Sequence, residues 1–391
     1  MISYQSLEVY SIMNKQKIKT QTRNLLYRFR QIGYDRFYRM VMRKNDIDNK
    51  KSIGEKEWIE KWSQFGLKAK PTQYRVFSHY IGHNINIVPE DICHDFIETI
   101  LNPMRFRGYY ADKNVFDKLF PTGYLPRTLL RKINGIYYDN DYQPIQLDEE
   151  QLFKILDYSN TNKIVIKPSV GGMSGHDVRV FCKKSDTTHR WEEINTKDIL
   201  GIKYIEHYYG SNIILQEAMQ QSDYISQFNP SSINTLRLGV YRSVIDNNCY
   251  VLGAIMRIGG KGSVVDNAHA GGCFVGIHSD GSFCHEVCNQ FGQKQTIFND
   301  IDFTKDFYYP NWKEVVEFAE SVGTYILHHR LLALDIVLDK DNKPHLIEFN
   351  VEGFSSWLFQ YTVSAAFGEY TNEILDYCKS KQDEIEEIIH L

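Results

Sequence analysis

The sequence predicts an α+β fold of two or three units, and three observations carry that reading. The chain has 391 residues, two to three times the usual length of one domain, with ample material for a core. From about residue 124 onward, short strand-like runs alternate with helical stretches. Near the C-terminal end, LLALDIVLDKDNKPHLIEFN shows two apolar, alternating runs around a polar turn, the pattern of an antiparallel hairpin.

Taken in order, residues 1–70 read as a helical, polar and charged extension. Between Asn14 and Lys44 there are ten Lys or Arg and one acid, Asp35, so the remainder carries 35 basic against 48 acidic residues, a net −13. Leu25, Leu26, Phe29, Ile32, Phe37, Met40 and Val41 recur there at helical spacing, predicting an amphipathic helix interrupted near Gly33. Residues 71–120 read as a preceding unit, with a strand-like Ile85–Val88 before Pro89 and a helix around Asp91–Leu101. Residues 121–220 form the next unit: a strand pair over Tyr124–Tyr138 turning at Asn134-Gly135, then strands over Lys163–Lys167, Asp177–Cys182 and Asn212–Glu217. In residues 221–391, strands over Thr235–Arg242 and Tyr250–Ile258 precede a helix over Trp312–His329, the hairpin Leu332–Asn350 and a terminal helix of roughly Ser364–Ile389.

Composition excludes several classes. With 42% apolar and 14% aromatic residues the chain is not a disordered tail, and a net charge of −4 gives no support for nucleic-acid binding. Cys93, Cys182, Cys249, Cys273, Cys284, Cys288 and Cys378 form no CxxC pair, which fits reduced thiols and a cytoplasmic location. No apolar run approaches the ~20 residues of a spanning helix, and the first residues do not resemble a signal peptide. The basic segment 14–44 is expected to pack on the body as a solvated helix. Contact with an anionic membrane surface at the inner face is the sharper alternative.

The hairpin carries the strongest chemical signal. With Asp341-Asn342 as its turn, cross-strand partners sum to 683, so Asp335 faces Glu348 and Ala333 faces Asn350. At period two, Asp335, Glu348 and Asn350 share one face. Two facing carboxylates repel unless a cation lies between them, and their hard oxygens favour Mg²⁺ over Ca²⁺. A solvated acidic pair is the plain alternative. Ala333, Val337 and Leu346, expected on the same face, argue against it.

A second signal is IVIKPSVGGMSGHDVRVF, where a strand ending in Lys167 enters a loop holding Ser169, Gly171, Gly172, Ser174 and Gly175. Glycines let backbone N–H groups approach phosphate oxygens, and the lysine offsets their charge. The lysine precedes the glycines and strands flank the loop, so this is not a Walker A motif. In NIILQEAM a strand runs into Glu217, Ala218 and Met219, a linker suited to an adenine held by backbone contacts. GGKGSVVDNAHAGG, residues 259–272, reads as a loop near an acceptor site, with Asn267, Gly271 and Gly272 as contacts. A long hairpin loop without ligand is the alternative. Cys284-His285-Glu286-Val287-Cys288 reads as an ordinary loop, and His328-His329 as the end of a helix where imidazolium meets the dipole.

In this order the motifs resemble the ATP-grasp superfamily, and YIGHNINIVPEDI, DKNVFDKLFP, SINTLRLGVY, GSVVDNAHAGG and IEFN resemble its sugar-transfer-associated branch. The likeness runs from about Tyr74 to Phe367. It implies an ATP-grasp fold, two α+β subdomains clamping ATP behind a small preceding domain. It also implies that Lys113, with Lys118 as fallback, and Lys167 bind phosphates under the Ser169–Gly175 loop. Glu217–Met219 would hold adenine, Asp223 the ribose, and Asp335, Glu348 and Asn350 one or two Mg²⁺ ions. Arg237 and Arg257 would stabilise the transferring phosphoryl group or the oxyanion. The implied reaction is ADP-forming ligation of a small carboxylate to an amine, with sugar-linked substrates used in surface polysaccharide assembly. An ATP-grasp kinase and a nucleotide-binding regulatory subunit of a glycan-synthesis complex are the alternatives.

Overall fold

A computed structural model describes residues 25–159, 161–171, 177–184, 190–263, 266 and 271–382. Two antiparallel sheets organise them. The first takes β1 (Thr128–Ile133), β2 (Ile136–Tyr138), β3 (Lys163–Pro168), β4 (Arg179–Lys183), β5 (Trp191–Glu193) and β6 (Ile213–Glu217) in the order β2-β1-β6-β3-β4-β5. The β1–β2 turn is Asn134-Gly135, both at positive φ (49° and 86°), the hairpin geometry that Asn-Gly favours. Helices Glu149–Tyr158 and Ile202–Tyr208 cover one face, burying Leu130, Ile164, Ile166, Phe181, Ile213 and Leu215. By period two, Val165 and Lys167 therefore point to the opposite face.

The second sheet takes β7 (Leu236–Arg242), β8 (Cys249–Ile258), β9 (Cys273–Ile277), β10 (Phe283–Cys288), β11 (Lys294–Gln295), β14 (Leu331–Leu338) and β15 (Pro344–Asn350) in the order β11-β10-β9-β8-β7-β14-β15. Between β11 and β14 lies a small separate pair, β12 (Ile297–Phe298) and β13 (Ile301–Asp302). Helix Trp312–Tyr325 buries Val315, Ala319 and Val322, at spacings of four and three, against Val240, Leu334 and their neighbours. Gly323 permits that approach, because a Cβ there would stand 2.7 Å from the Cys249 sulfur. On the other face, Trp58, Trp62 and Phe77 of the N-terminal helices join Ile255, Phe274, Leu331 and Ala333 in one core.

Several expectations are corrected. The helix over residues 25–44 runs unbroken through Gly33, since nothing lies near that position to force a break. Its packed face carries Tyr27, Gln31, Tyr38, Val41 and Met42, while Leu25, Leu26, Phe29, Ile32 and Phe37 are exposed. Ile85–Val88 is not a strand. Its backbone is paired by side chains instead: Gln360 bonds both the N–H and C=O of Val88, while Trp58 and Trp62 donate to Ile87 and Ile85 carbonyls. Residues 284–288 are strand β10 rather than a loop. The 312 helix ends at Tyr325, short of His329. Burial, reinforced by Arg107, pushes the His329 imidazole down to about 3, so it is neutral rather than the expected imidazolium. The last described helix is Thr371–Ser380, and the part of that expectation beyond residue 382 lies outside the described residues, as do residues 14–24.

Candidate active site between the two sheets

Pairing of β14 with β15 sets Asp335 opposite Glu348 and Ala333 opposite Asn350, as the sequence pattern predicts. The route differs. Asp339 and Lys343 close a three-residue loop with Asn342 at φ 59°, so the pairs nearest the turn sum to 682. A bulge at Ile347 then restores the expected register before the carboxylates. This corrects the turn, and it places Leu346 opposite Ile336 in the core beneath helix Trp312–Tyr325, not on the carboxylate face.

Strand β7 sets Arg237 directly across from Asp335 on the other side. Arg237 Nε lies 2.5 Å from Asp335 Oδ1 and its Nη2 3.0 Å from Oδ2, while Arg257 Nη2 from β8 lies 3.2 Å from Oδ2. Burial pushes the Asp335 carboxyl up, but the two guanidiniums overcome it and hold the group below the usual carboxylate range. Asp266 was not anticipated. It accepts the Thr235 N–H at 2.8 Å and sits 3.6 Å from Arg257 Nε, supplying the counter-charge a half-buried arginine needs. Its signal is its place in the glycine-flanked loop, next to Asn267.

From the first sheet's side, Lys113 Nζ lies 3.2 Å from Glu348 Oε1, and its backbone N–H donates to the Ser169 carbonyl at 2.9 Å. Lys113 thus touches both the metal hairpin and the start of the glycine-rich loop. Lys118 sits instead over the Tyr142 ring at 4.1 Å, away from that cluster. Burial, then the nearby Lys113, push the Lys167 ammonium down to about 8 against the opposing pull of Glu348. Ser169 is fully buried and its hydroxyl has no hydrogen-bond partner among the described residues. Gly171 holds φ 73°, with no described residue within 4 Å of where its Cβ would stand. Gly172, Ser174, Gly175 and Asn267 lie outside the described residues. Gly271, at φ 86°, closes the base of its loop against Gly260, and Gly272 is buried.

At the other end of β6, Glu217 accepts from Arg127 at 3.1 Å, and Ala218 donates its N–H to Lys163 at 3.0 Å. Glu217, Ala218 and Met219 line a cavity of about 310 Å³ with Arg127, Asp339 and Asp341. Asp223 begins a short helix, is exposed, and does not line that cavity. The arrangement as a whole sets Lys113, Lys167, Arg237 and Arg257 against Asp335, Glu348 and Asp266, an excess of cations suited to polyphosphate. Each cation about 4 Å from a phosphate charge contributes about 4 kcal/mol at an effective dielectric of 20, before desolvation.

No curated protein sequence matches the chain. Among solved structures, it is similar to the D-cycloserine synthetase DcsG (14% identity, 72% of this chain and 73% of that one, TM-score 0.39). It is also similar to the ATP-grasp ligase PsnB complexed with minimal precursor, Mg and ADP (13%, 71% and 62%, TM-score 0.38). A third is the D-alanine-D-alanine ligase from Coxiella burnetii (8%, 72% and 61%, TM-score 0.38). The chain thus spans under two thirds of the latter two, and likeness at these TM-scores carries no functional argument. The model of the sugar-transfer associated ATP-grasp family matches residues 94–374, well over half of the sequence and including every site residue placed above, though not the YIGHNINIVPEDI segment. The chain belongs to that family.

Proposed function

We propose that the protein is an ATP-dependent carboxylate–amine ligase working through an acyl phosphate, with a sugar-linked carboxylate or amine used in surface polysaccharide assembly. One observation carries the reading: Lys113, Lys167, Arg237 and Arg257 converge from both sheets on Asp335 and Glu348. Lys113, Lys167 and the loop from Ser169 through Gly171 hold the phosphates, and the Glu217–Met219 linker holds the adenine. Asp335, Glu348 and Asn350 are two carboxylates and an amide carbonyl on one face, hard oxygen donors that fit Mg²⁺ and would hold it. An ion held there would supply charge neutralisation for the polyphosphate.

A substrate carboxylate oxygen attacks the γ-phosphorus, the bond to the β-phosphate oxygen breaks, and ADP leaves. An amine then attacks the acyl carbon and inorganic phosphate departs. Arg237 and Arg257 hold Asp335 in the free protein and are placed to meet negative charge developing beside it. ATP turnover is expected to need Mg²⁺ and an acceptor, and Glu348→Gln is expected to abolish it. Hydroxylamine added with the carboxylate traps the acyl phosphate as a hydroxamate. A phosphorylated alcohol without hydroxamate would sink the ligase and favour the kinase, and nucleotide binding without any turnover would favour the regulatory role.

Helix 25–44 supports a further part of the proposal, contact with an anionic membrane surface. Its exposed Leu25, Leu26, Phe29 and Ile32 lie among exposed Arg28, Arg36, Arg39 and Arg43. None of the described helices is long and apolar enough to cross a membrane.

A further inference from the structure

A cavity of about 730 Å³ lies beyond the phosphate and metal motifs, with Tyr34, Phe37, His94, Arg107, Glu352 and Trp357 in its walls. Such a volume suits a small molecule rather than an ion. It joins the N-terminal helix to the loop that leaves β15 directly after Asn350. That loop is tied down by two buried carboxylates of the helical stretch over residues 90–101. Glu98 accepts the N–H of Gly353 at 3.2 Å and that of Phe354, and Glu90 accepts the Ser356 hydroxyl and the Trp357 N–H at 3.2 Å. Between these anchors Ser355 holds φ 59°, a conformation unfavourable for a non-glycine residue. Glu352 is two residues past Asn350, so its Cα lies within about 7 Å of that of the proposed metal ligand. Ala333, opposite Asn350, is already in the core shared with the N-terminal helices, whereas Asp335, one pair further, faces the cluster of arginines. The cavity therefore begins where the proposed transfer site ends.

Its chemistry is specific. Arg107 Nη1 lies 3.1 Å from Glu352 Oε1, a carboxylate whose side chain is 64% exposed, while Arg107 Nε is buried with no hydrogen-bond partner among the described residues. Glu352 thus satisfies one edge of the guanidinium and leaves Nε–H without an acceptor. A carboxylate entering the cavity can take the Nη1 position, the exposed Glu352 side chain turning to solvent. Tyr34, Phe37 and Trp357 supply aromatic surface on which the C–H groups of a pyranose can rest, and His94 adds a polar group for its hydroxyls.

We propose that this cavity is the acceptor site and takes a carboxylated sugar, the carboxylate displacing Glu352 from Arg107 and the ring resting against Phe37 and Trp357. The inference rests on the ligase reading. It makes the helix over residues 25–44, outside the span matched by the family model, a determinant of which substrate is used. Calorimetric titration of the full chain, without ATP, with D-glucuronate and its neutral counterpart D-glucose tests it. Glucuronate is expected to bind at least about tenfold tighter than glucose, and Arg107→Ala to remove that preference. Phe37→Ser, at an exposed position, is expected to weaken glucuronate several-fold, with ATP affinity and the melting temperature unchanged in both variants. Glucuronate failing to bind, binding no tighter than glucose, or binding both variants as it binds the parent overturns the assignment. Hydroxylamine trapping separates the two ideas. Glucuronate bound through Arg107 without ADP release removes the ligase reading alone, and glucuronate-dependent ADP release untouched in both variants removes the cavity alone.

Discussion

Asp335 occupies a position where its charge is held by neighbours rather than by water. It is 5% exposed, yet Arg237 and Arg257 keep it ionised. Removing one partner of a buried set leaves the others uncompensated, so Asp335→Asn is expected to cost about 3 kcal/mol of stability, read as a lower denaturant midpoint without ligand. Full stability in that variant would show that the arginines turn to solvent instead. Lys167 gives a sharper test. Its ammonium titrates at about 8 in the free protein because burial and Lys113 disfavour the charge, and bound phosphate reverses that balance. ATP binding should therefore take up close to one proton at about pH 9 and almost none at about pH 6.5, measured by calorimetry in buffers of different ionisation heat. Lys167→Met should abolish the uptake.

Among the elements, the β14–β15 hairpin shows how a local irregularity sets chemistry. Its three-residue loop shifts the register by one, and the Ile347 bulge shifts it back, so the carboxylates meet while Leu346 stays in the core. The helical stretch over 90–101 works differently, through charge. The His94 ring lies 2.5 Å from Glu98, and that hydrogen bond, against the cost of burial, raises the imidazole to about 9. Glu90 and Asp95 also act on it, and burial raises Glu90 itself to about 7. The folded state thus holds the His94 proton more tightly than the unfolded chain does. That stabilisation is complete below about pH 6.5 and is lost as pH rises to about 9. Unfolding midpoints should fall across that window, and His94→Gln should flatten the fall. For helix 25–44, the expected result is co-sedimentation with vesicles containing phosphatidylglycerol, not with neutral ones, and its loss when Leu25, Leu26 and Phe29 become serine. Equal recovery with both vesicle types would remove the membrane contact.

At the level of the whole molecule, Lys113 bridges the two sides of the site among the described residues, to Glu348 and to the Ser169 backbone. A ligand binding both sides adds the missing attraction. ATP with Mg²⁺ at a hundred times its dissociation constant should stabilise the fold by about 2.7 kcal/mol, seen as a melting temperature higher by several degrees. A chelator should remove most of that shift. An unchanged shift after chelation would mean that the lysines alone hold the nucleotide. The C-terminal segment is fitted just as closely: Gly239 and Gly253 are cross-strand partners, and a Cβ on either would stand 2.7 or 3.0 Å from the Phe354 or Phe359 ring.

What the sequence determined by itself was what depends on short-range patterning. Period-two alternation is enough to put Asp335 and Glu348 on facing strands of one hairpin, Asn-Gly is enough to turn β1 into β2, and the order of motifs is enough to name the family. The apolar pattern of helix 25–44 was legible too, but not which face is buried, because that depends on where Tyr27 and Tyr38 meet the Phe77 and Phe96 rings. Ile85–Val88 looked like a strand because its backbone does need partners, yet those come from Trp58, Trp62 and Gln360, up to 272 residues away. Likewise the hydrogen bond that Asp266 accepts from Thr235 and the cavity around Arg107 arise only when separate segments pack. Local hydrogen-bond geometry and hydrophobic period are written along the chain. Charge compensation and cavity shape are sums over neighbours, and only the tertiary structure supplies those.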